Sequence, residues 1–489
     1  MVLNYLASLS RYVPELLAVL TMIGLLFVDS TYDNREYKKP MFVAAAFVGL
    51  ICVLIALLFN YTDAPTGIFT GAMIVDPFGT LVKIIMVIGT MGAIYLSQQS
   101  KDIYPYLRSE FSIIAVGVLI GGMILASANN FLMVYLGIET LSVLSYALAN
   151  FKKDNEKSSE AGLKYVLYGG LASGVMLFGM SHIFGVLGTI QFSEIGVVLA
   201  ELSAGEIAIL LPSMLLFFAG IGYKIAAVPF HMWSPDVYEG SPIPVTTFFS
   251  IVPKIAGLAI LMRFTMIFFG QEGALQIGWI GLLSVVGALT MTVGNVSAIG
   301  QRSVKRMLAY SSISHAGMMI MGVLVVNELG VRALLFYAIA YLFMTLVAFF
   351  ITAFVSDQYG NDHFERFSGL INRYPLMAIM MTVVMFSLAG IPPLSGFVAK
   401  FNIIAALVDS GHITLAVIAV LNSVVALYYY MKIIRLMVFT PVESNDKIVG
   451  FGVVNQAVVV GLTVPVVALG IFWASLISLA GGAQLFIIH

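Results

Sequence analysis

Three lysines, Lys224, Lys254 and Lys400, lie inside apolar runs that are long enough to cross a bilayer. An ionisable side chain at membrane depth costs roughly 2.5–3.5 kcal/mol on insertion scales, so such residues indicate a functional site. Lys224 and Lys400 each adjoin glycines and prolines that break a helix, in AGIGYKIAAVPF (219–230) and AGIPPLSGFVAK (389–400). Unwound backbone at this depth is tolerated only where protein or a water-filled cavity surrounds it. These surroundings suit a lysine that binds and releases a proton, and the pattern therefore predicts an ion path.

Three further residues could take part in such a path. Glu139, in the middle of the fifth apolar run, could pair with Lys224, or a hydroxyl or backbone group could satisfy it for packing. Opening and closing such a pair would switch the lysine between binding and releasing a proton. His315, in AYSSISHAGMM, could relay protons because its unperturbed pKa lies near 6.5, or it could be a hydrogen-bonded core histidine. Lys305 could line the inner end of the path, or only follow the bias of basic residues towards cytoplasmic loops.

The buried lysines also have ordinary explanations. Each ammonium could reach the membrane interface along its flexible stem, an explanation that applies most readily to Lys83. The charged run FKKDNEKSSE (151–160) is typical of a solvated loop. The remaining histidines are scattered, and the sequence contains no phosphate-binding loop, dinucleotide fingerprint or catalytic triad pattern.

Composition restricts the class of protein. The 489 residues are 60% hydrophobic and 10% charged, with a mean hydropathy of +1.00, whereas soluble domains are about 45–50% apolar and about 25% charged. This balance predicts an all-α, polytopic membrane protein in contact with lipid. The formal net charge of −1 gives no indication of nucleic-acid binding. A single cysteine, Cys52, allows neither an internal disulfide nor an iron–sulfur cluster, so redox chemistry would have to occur on another chain.

Apolar runs of about 20 residues recur along the chain and predict about fourteen membrane spans. The N-terminal run lacks the features of a cleaved signal peptide and is expected to be retained as a span. Most lysines and arginines fall in every second loop, which predicts cytoplasmic basic loops and both termini on the outer, periplasmic side. The predicted spans lie near 13–29, 41–59, 78–97, 111–127, 130–150, 161–187, 208–228, 244–269, 275–295, 305–325, 333–355, 374–408, 413–438 and 450–478.

Titratable residues recur at an almost constant offset, which suggests an internal duplication. Two pairs are separated by 176 residues and one by 178. An odd number of spans in each half would invert the second half relative to the first. The pairs are Glu139 with His315, Lys224 with Lys400, and Lys254 with Lys432.

Three segments resemble signatures of the antiporter-like membrane subunits of respiratory complex I. They are KIAAVPFHMWSPDVYEGSPIPVTTF (224–248), KRMLAYSSISHAG (305–317) and LAGIPPLSGFVAKF (388–401). The resemblance covers nearly the whole chain in length and span count. It implies fourteen helices with two inverted five-helix repeats, each containing a broken helix. The implied divisions are 1–110 for helices 1–3, 111–270 for helices 4–8, 271–440 for helices 9–13, and 441–489 for helix 14.

The resemblance also implies a function and roles for individual residues. The chain would be a multi-pass membrane-arm subunit in the cell inner membrane, translocating protons while neighbouring subunits pass electrons from NADH to quinone. Glu139 matches the fifth-span glutamate, Lys224 its seventh-span partner, Lys254 the central eighth-span lysine, and Lys400 the twelfth-span lysine of the outward path. His315 and Lys305 match the tenth-span signature. This chain would carry no cofactor, and FMN, iron–sulfur clusters and quinone would be bound by other subunits.

Two alternatives remain at this point. The superfamily also contains subunits of cation/proton antiporters and of membrane-bound hydrogenases, so the chain could transport ions without an NADH-oxidising partner. It could also be a spacer that holds other pumping subunits, with buried charges that no longer titrate.

Overall fold

The computed structural model describes residues 5–31, 35–62, 64–152, 154–269, 274–441 and 452–474. These residues are overwhelmingly helical, because a chain surrounded by lipid must satisfy its backbone hydrogen bonds within each segment. Thirteen of the described helices are long and apolar enough to cross a membrane. The predicted all-α, polytopic fold is therefore confirmed, and of the final predicted division, 441–489, the structure describes residue 441 and residues 452–474.

The described residues of the first half form eleven α-helices, one short 3-10 helix and one small hairpin. The β-hairpin pairs Thr66 with Val75 and marks one end of the helices, which we call the hairpin face. The elements are α1 (Tyr5–Arg11), α2 (Val13–Thr31), α3 (Arg35–Phe59), β1 (Thr66–Ile68), β2 (Met73–Val75), α4 (Pro77–Gln99), α5 (Arg108–Ser127), α6 (Phe131–Ala149), α7 (Glu156–Leu187), α8 (Phe192–Glu201), α9 (Ala204–Ile225), α10 (Trp233–Gly240) and α11 (Ile243–Phe269).

The second half is also helical, and its described residues contain no strand. A short 3-10 helix, Phe364–Phe367, precedes α15, as another, Pro105–Leu107, precedes α5. The elements are α12 (Ala274–Ile299), α13 (Val304–Leu324), α14 (Glu328–Tyr359), α15 (Leu370–Arg373), α16 (Pro375–Ala389), α17 (Ser395–Asp409), α18 (Ile413–Phe439) and α19 (Val453–Ile471). The twelfth predicted span, 374–408, is thus formed by two half-length helices, α16 and α17.

Two crossings are broken as the glycine and proline clusters predict. Helix α9 ends at Ile225, and Ala226 follows it in the left-handed region with φ 58°. Helix α16 ends at Ala389, and Gly390 follows it with φ 89°. A Cβ atom on Gly390 would also lie 2.9 Å from Cδ of Lys400. Glycine is therefore required there by backbone conformation and by the close approach of the lysine.

Helix lengths recur between the two halves, but not at the offset of the titratable residues. Helices α7 and α14 both have 32 residues, with starts and ends 172 residues apart. Helices α11 and α18 both have 27 residues and are 170 residues apart. At the offset of 170 residues, Lys254 corresponds to Val424 and not to Lys432. The 176–178 spacing of the titratable residues therefore does not mark equivalent positions in these two helices. Lys224 lies before the break in its membrane span, whereas Lys400 lies after the break in its own span. The two spans break at different depths, because α9 has 22 residues before its break and α16 has only 15.

The centre of the bundle is formed by α11, α13 and α14. Each spanning helix has a most apolar stretch of 18 residues. This stretch is completely buried in α11, and 89% of the corresponding stretch is buried in α13 and in α14. By contrast, only 17–39% of the same stretch is buried in α2, α3, α7, α12, α18 and α19, whose outer faces carry exposed Leu, Val, Ile and Phe side chains. An apolar exterior around a core that contains lysines is the reverse of a soluble domain and suits a lipid environment.

Candidate functional site

Lys224 lies in the last turn of α9, immediately before the break. Its side chain is 1% exposed, so its ammonium does not reach the surface along the stem. The Nζ atom donates to Oγ of Ser142 on α6 at 3.0 Å and to Oη of Tyr165 on α7 at 3.4 Å. It also lies 5.5 Å from the centroid of the Tyr165 ring. Neutral oxygen acceptors and an aromatic face thus surround this ammonium.

The predicted Glu139–Lys224 pair is not a contact pair in this structure. Among the described residues no ion pair joins them, and Oε1 of Glu139 is buried without a hydrogen-bond partner. Ser142 lies one turn further along α6 and takes the position facing Lys224. Glu139 is only half-buried, beside the exposed Leu136 and Val143. The two charges are still close enough to interact electrostatically.

Lys254 occupies the middle of α11, one residue after Pro253. It is completely buried, and its Nζ atom donates to Oγ of Ser312 on α13 at 2.7 Å. The Tyr238 ring of α10 lies 5.6 Å from the ammonium. The short helix after the first break thus contributes to the surroundings of the central lysine, a contact that the sequence did not predict.

His315 lies on α13, one turn beyond Ser312. Its ring is 4% exposed, with Nδ1 2.6 Å from Oη of Tyr337 on α14 and Nε2 3.1 Å from Oη of Tyr430 on α18. Ser311 Oγ forms a further hydrogen bond with Tyr430 Oη. The histidine is therefore both hydrogen-bonded in the core and close to the lysines, so the two explanations of this residue are compatible.

Lys400 lies on α17, after the second break. Its Nζ atom donates to the carbonyl of Ala389 at 2.9 Å, a group left without an intrahelical partner because α16 ends there. A narrow polar cavity, with room for about one water molecule, is lined by both Lys400 and His315. Its polar lining includes Asn295, Ser314, Tyr337, Asn422 and Tyr429. A polar cavity of this kind suits water, which could bridge the two titratable side chains.

Lys305 lies at the opposite end of the bundle from the hairpin, in the first turn of α13. We call this end the basic face. The Nζ atom of Lys305 donates a hydrogen bond to the carbonyl of Ser241 at 3.0 Å. Asp102 accepts hydrogen bonds from N–H of Ile243, at 2.7 Å, and from Lys152. Burial alone would raise the pKa of Asp102, but the positive charges of Lys305 and Lys152 outweigh it and hold this pKa below its ordinary value.

More ion pairs surround Lys305 on the basic face. Arg306 pairs with Glu239 and lies 3.2 Å from Asp236, which also pairs with Lys164 at 2.7 Å. Burial acts to raise the pKa of Glu239, but hydrogen bonds from Arg306 and Lys157 hold it below its ordinary value. These contacts link α7, α10 and α13, so the loop charges form a connected network and do more than follow the bias of loop composition.

Two buried ion pairs were not predicted from the sequence, and both involve α4. Lys83, for which reaching the interface was the readiest explanation, is 3% exposed and pairs with Glu15 of α2 at 2.5 Å. Arg263, inside the predicted span 244–269, is 2% exposed within α11. It donates to both carboxylate oxygens of Asp76 at 2.7 Å and to the Ala126 carbonyl at 2.8 Å. The Asp76–Pro77 sequence, a helix cap followed by proline, indicates the start of α4 but does not indicate that Asp76 pairs with Arg263.

The site therefore contains two kinds of buried cation. Lys83 and Arg263 have carboxylate partners in direct contact. Lys224, Lys254 and Lys400 donate to hydroxyl or carbonyl oxygens. Within the described part of the chain no group of three His, Cys, Asp or Glu residues could hold a metal ion. What the site offers chemically is a set of amines and one imidazole that can bind and release protons inside a membrane-spanning bundle.

Broken crossings with buried lysines define an ion-translocating membrane subunit, and comparison with known proteins identifies its family. Residues 128–426 match the family model described as NADH:quinone oxidoreductase/Mrp antiporter, TM, and the chain belongs to this family. The resemblance predicted from the three signature segments is thus confirmed.

Relatives and solved structures narrow the comparison. The chain is 39% identical to NADH-quinone oxidoreductase subunit N 2 of Sorangium cellulosum, over 96% of each sequence. It is similar to a chain of respiratory complex I from Thermus thermophilus, with a TM-score of 0.81, 28% identity and coverage of 96% of this chain and 100% of that one. A chain of the Mrp complex from Dietzia shares the fold, with a TM-score of 0.83, 21% identity and coverage of 97% of both chains.

Proposed function

We propose that this chain is subunit N of a proton-translocating NADH:quinone oxidoreductase. The observation that carries the proposal is the presence of three buried lysines, each held by neutral oxygen acceptors, in a chain whose relatives bear that name. Electrons would pass from NADH to quinone on neighbouring subunits that bind FMN, iron–sulfur clusters and quinone. This chain would belong to the enzyme as its proton-moving part and would contain no redox centre.

The proposed path begins at the basic face near Lys305 and crosses the bundle in steps. Closing the Glu139–Lys224 pair would favour the charged lysine, and opening it would release a proton towards Lys254. Lys254 would pass the proton through Ser312 and His315 to Lys400, which discharges it outward. A change of one pKa unit is worth about 1.4 kcal/mol, whereas moving a charge against 100 mV costs about 2.3 kcal/mol. Changes of a few units would therefore be sufficient.

We further propose that residues 111–270 and 271–440 form two inverted repeats, with 1–110 and 441–489 as additional segments. The recurrence of α7 as α14 and of α11 as α18, with equal lengths, supports this division. The first repeat would supply the inner half of the path, with Lys224 beside its break. The second repeat would supply the outer half, with Lys400 beside its break.

The proposed setting is the cell inner membrane, among other membrane-arm subunits and lipid. The basic face would lie in the cytoplasm and both termini on the periplasmic side, because basic loops are retained inside. The exposed apolar sides of α3, α7 and α18 support contact with lipid or with neighbouring subunits.

The test is proton pumping by vesicles that contain the assembled complex. Lys224→Ala should reduce pumping and NADH oxidation with the native quinone together, while leaving the amount of complex unchanged. A matched control is Lys157→Ala, which removes a largely exposed lysine at the basic face. Normal pumping by a fully assembled Lys224→Ala complex would favour the spacer alternative, and sodium-dependent transport without NADH would favour an antiporter.

A further inference from the structure

Two tyrosines contact His315, one at each ring nitrogen. Tyr337 approaches Nδ1 from α14 at 2.6 Å, and Tyr430 approaches Nε2 from α18 at 3.1 Å. Both tyrosines are completely buried. Neither residue belongs to the signature segments, and their contact with the imidazole brings together α13, α14 and α18.

The two hydroxyls have different further surroundings. Tyr337, like His315, lines the cavity that contains Lys400. Tyr430 instead hydrogen-bonds Ser311, the neighbour of the serine that accepts from Lys254. The imidazole thus has a tyrosine hydroxyl at each ring nitrogen, one from α14 and one from α18.

Hydrogen-bond capacity explains why tyrosine suits both positions. A neutral imidazole has one donor and one acceptor nitrogen, whereas an imidazolium has two donors. A phenol hydroxyl can either donate or accept, so each tyrosine can match either state of the nitrogen beside it. When Nε2 gains a proton, the Tyr430 hydroxyl can turn and donate to Ser311, which has free acceptor capacity. If the hydroxyl could not turn, a donor beside the buried imidazole would be left without an acceptor, which costs about 1–3 kcal/mol.

We propose that Tyr337 and Tyr430 are positioning residues that hold His315 between Lys254 and Lys400 and satisfy its ring in both protonation states. This proposal rests on the proposed function, since it assumes that protons pass between these lysines. The cations that act electrostatically on the imidazole are Lys400 of α17 and Lys254 of α11, and the centroid of the Tyr341 ring of α14 lies 5.3 Å from that of the imidazole. By holding the hydrogen bonds in place, the tyrosines limit the rearrangement that each transfer requires.

The test compares tyrosine-to-phenylalanine variants in the complete complex. Tyr337→Phe and Tyr430→Phe each remove one hydroxyl and keep the ring that packs in the core. Tyr95→Phe is a matched control, because it removes a hydroxyl that bonds Asn455 at 2.8 Å, between α4 and α19. Lys254→Ala serves as the reference for the proposed function. The measurements are assembled complex, KM for NADH, coupled turnover, protons moved and the solvent deuterium isotope effect.

We expect the His315 tyrosine variants to assemble, to keep the KM for NADH, and to lose about tenfold in coupled turnover with an increased isotope effect. Tyr95→Phe should behave as the unmodified complex does. If Tyr430→Phe fails to assemble, Ser311→Ala removes the partner of its hydroxyl through a smaller change and should reduce turnover in the same direction. Unchanged turnover and isotope effect in the tyrosine variants, while Lys254→Ala fails to pump, would overturn the positioning role. Normal pumping by Lys254→Ala would instead overturn the proposed function.

Discussion

The ammonium of Lys400 donates a 2.9 Å hydrogen bond to the carbonyl of Ala389, the residue that ends α16. The second break therefore does more than interrupt a helix, since it supplies an acceptor for the lysine of the following half-helix. Gly390 allows this approach because it has φ 89° and lacks a Cβ atom.

Replacing Gly390 by alanine should displace Lys400. The new Cβ would lie 2.9 Å from Cδ of that lysine, and the positive φ adds roughly 1–2 kcal/mol of strain. We expect proton pumping to fall severalfold and the melting temperature of the complex to decrease. Gly411→Ala is a matched control, because Gly411 has φ 80° but open space where the new Cβ would lie. Equal pumping losses in both variants would show that backbone strain alone is responsible.

The buried Glu15–Lys83 pair should behave as a structural pair. Lys83→Ala would leave a carboxylate without its partner in an apolar surrounding, which costs about 3–5 kcal/mol. We therefore expect little assembled complex from this single variant, measured by native gel or by thermal melting. Replacing both residues by leucine should restore assembly, since two apolar side chains leave no buried charge. Failure of the double variant to improve on Lys83→Ala would contradict this account.

Ser312 is expected to act through Lys254. Ser312→Ala removes the hydroxyl that accepts from the Lys254 ammonium at 2.7 Å, and the loss of a hydrogen bond to a charged group is worth about 1.5–3 kcal/mol. Coupled turnover should decrease by tenfold or more, while assembly is retained. The control is Ser284→Ala on α12, whose hydroxyl bonds only a backbone carbonyl of its own helix among the described contacts. If both variants turn over at the unmodified rate, the serine has no part in the transfer.

Asp102 should stabilise the basic face without responding to physiological pH. Its folded pKa lies below the ordinary value of about 3.9. Its contribution to stability is therefore complete above that value and is lost only as pH falls through the lower folded pKa. Asp102→Asn should lower the melting temperature of the complex by a similar amount at every pH from about 5 to 8. Asp154→Asn, on the exposed neighbouring loop, should have little effect. A difference that disappears near pH 6 would contradict a depressed pKa.

The membrane class, the position of the membrane spans and the burial of Lys224, Lys254 and Lys400 could be predicted from the sequence alone. These features depend on local properties: the length of an apolar run, the helix-breaking effect of the prolines after Lys224 and before Lys400, and the cost of charge in lipid. Each can be read within a window of about 20 residues, so no knowledge of helix packing was needed.

Which groups contact these residues follows from the packing of the helices and could not be predicted. This packing placed Ser142 rather than Glu139 against Lys224, joined Arg263 to Asp76, and brought Tyr430 to His315. The partners in the last two contacts are 187 and 115 residues apart. Whether such side chains meet depends on the rotation and tilt of each helix against its neighbours, which long-range packing sets and local sequence patterns do not specify.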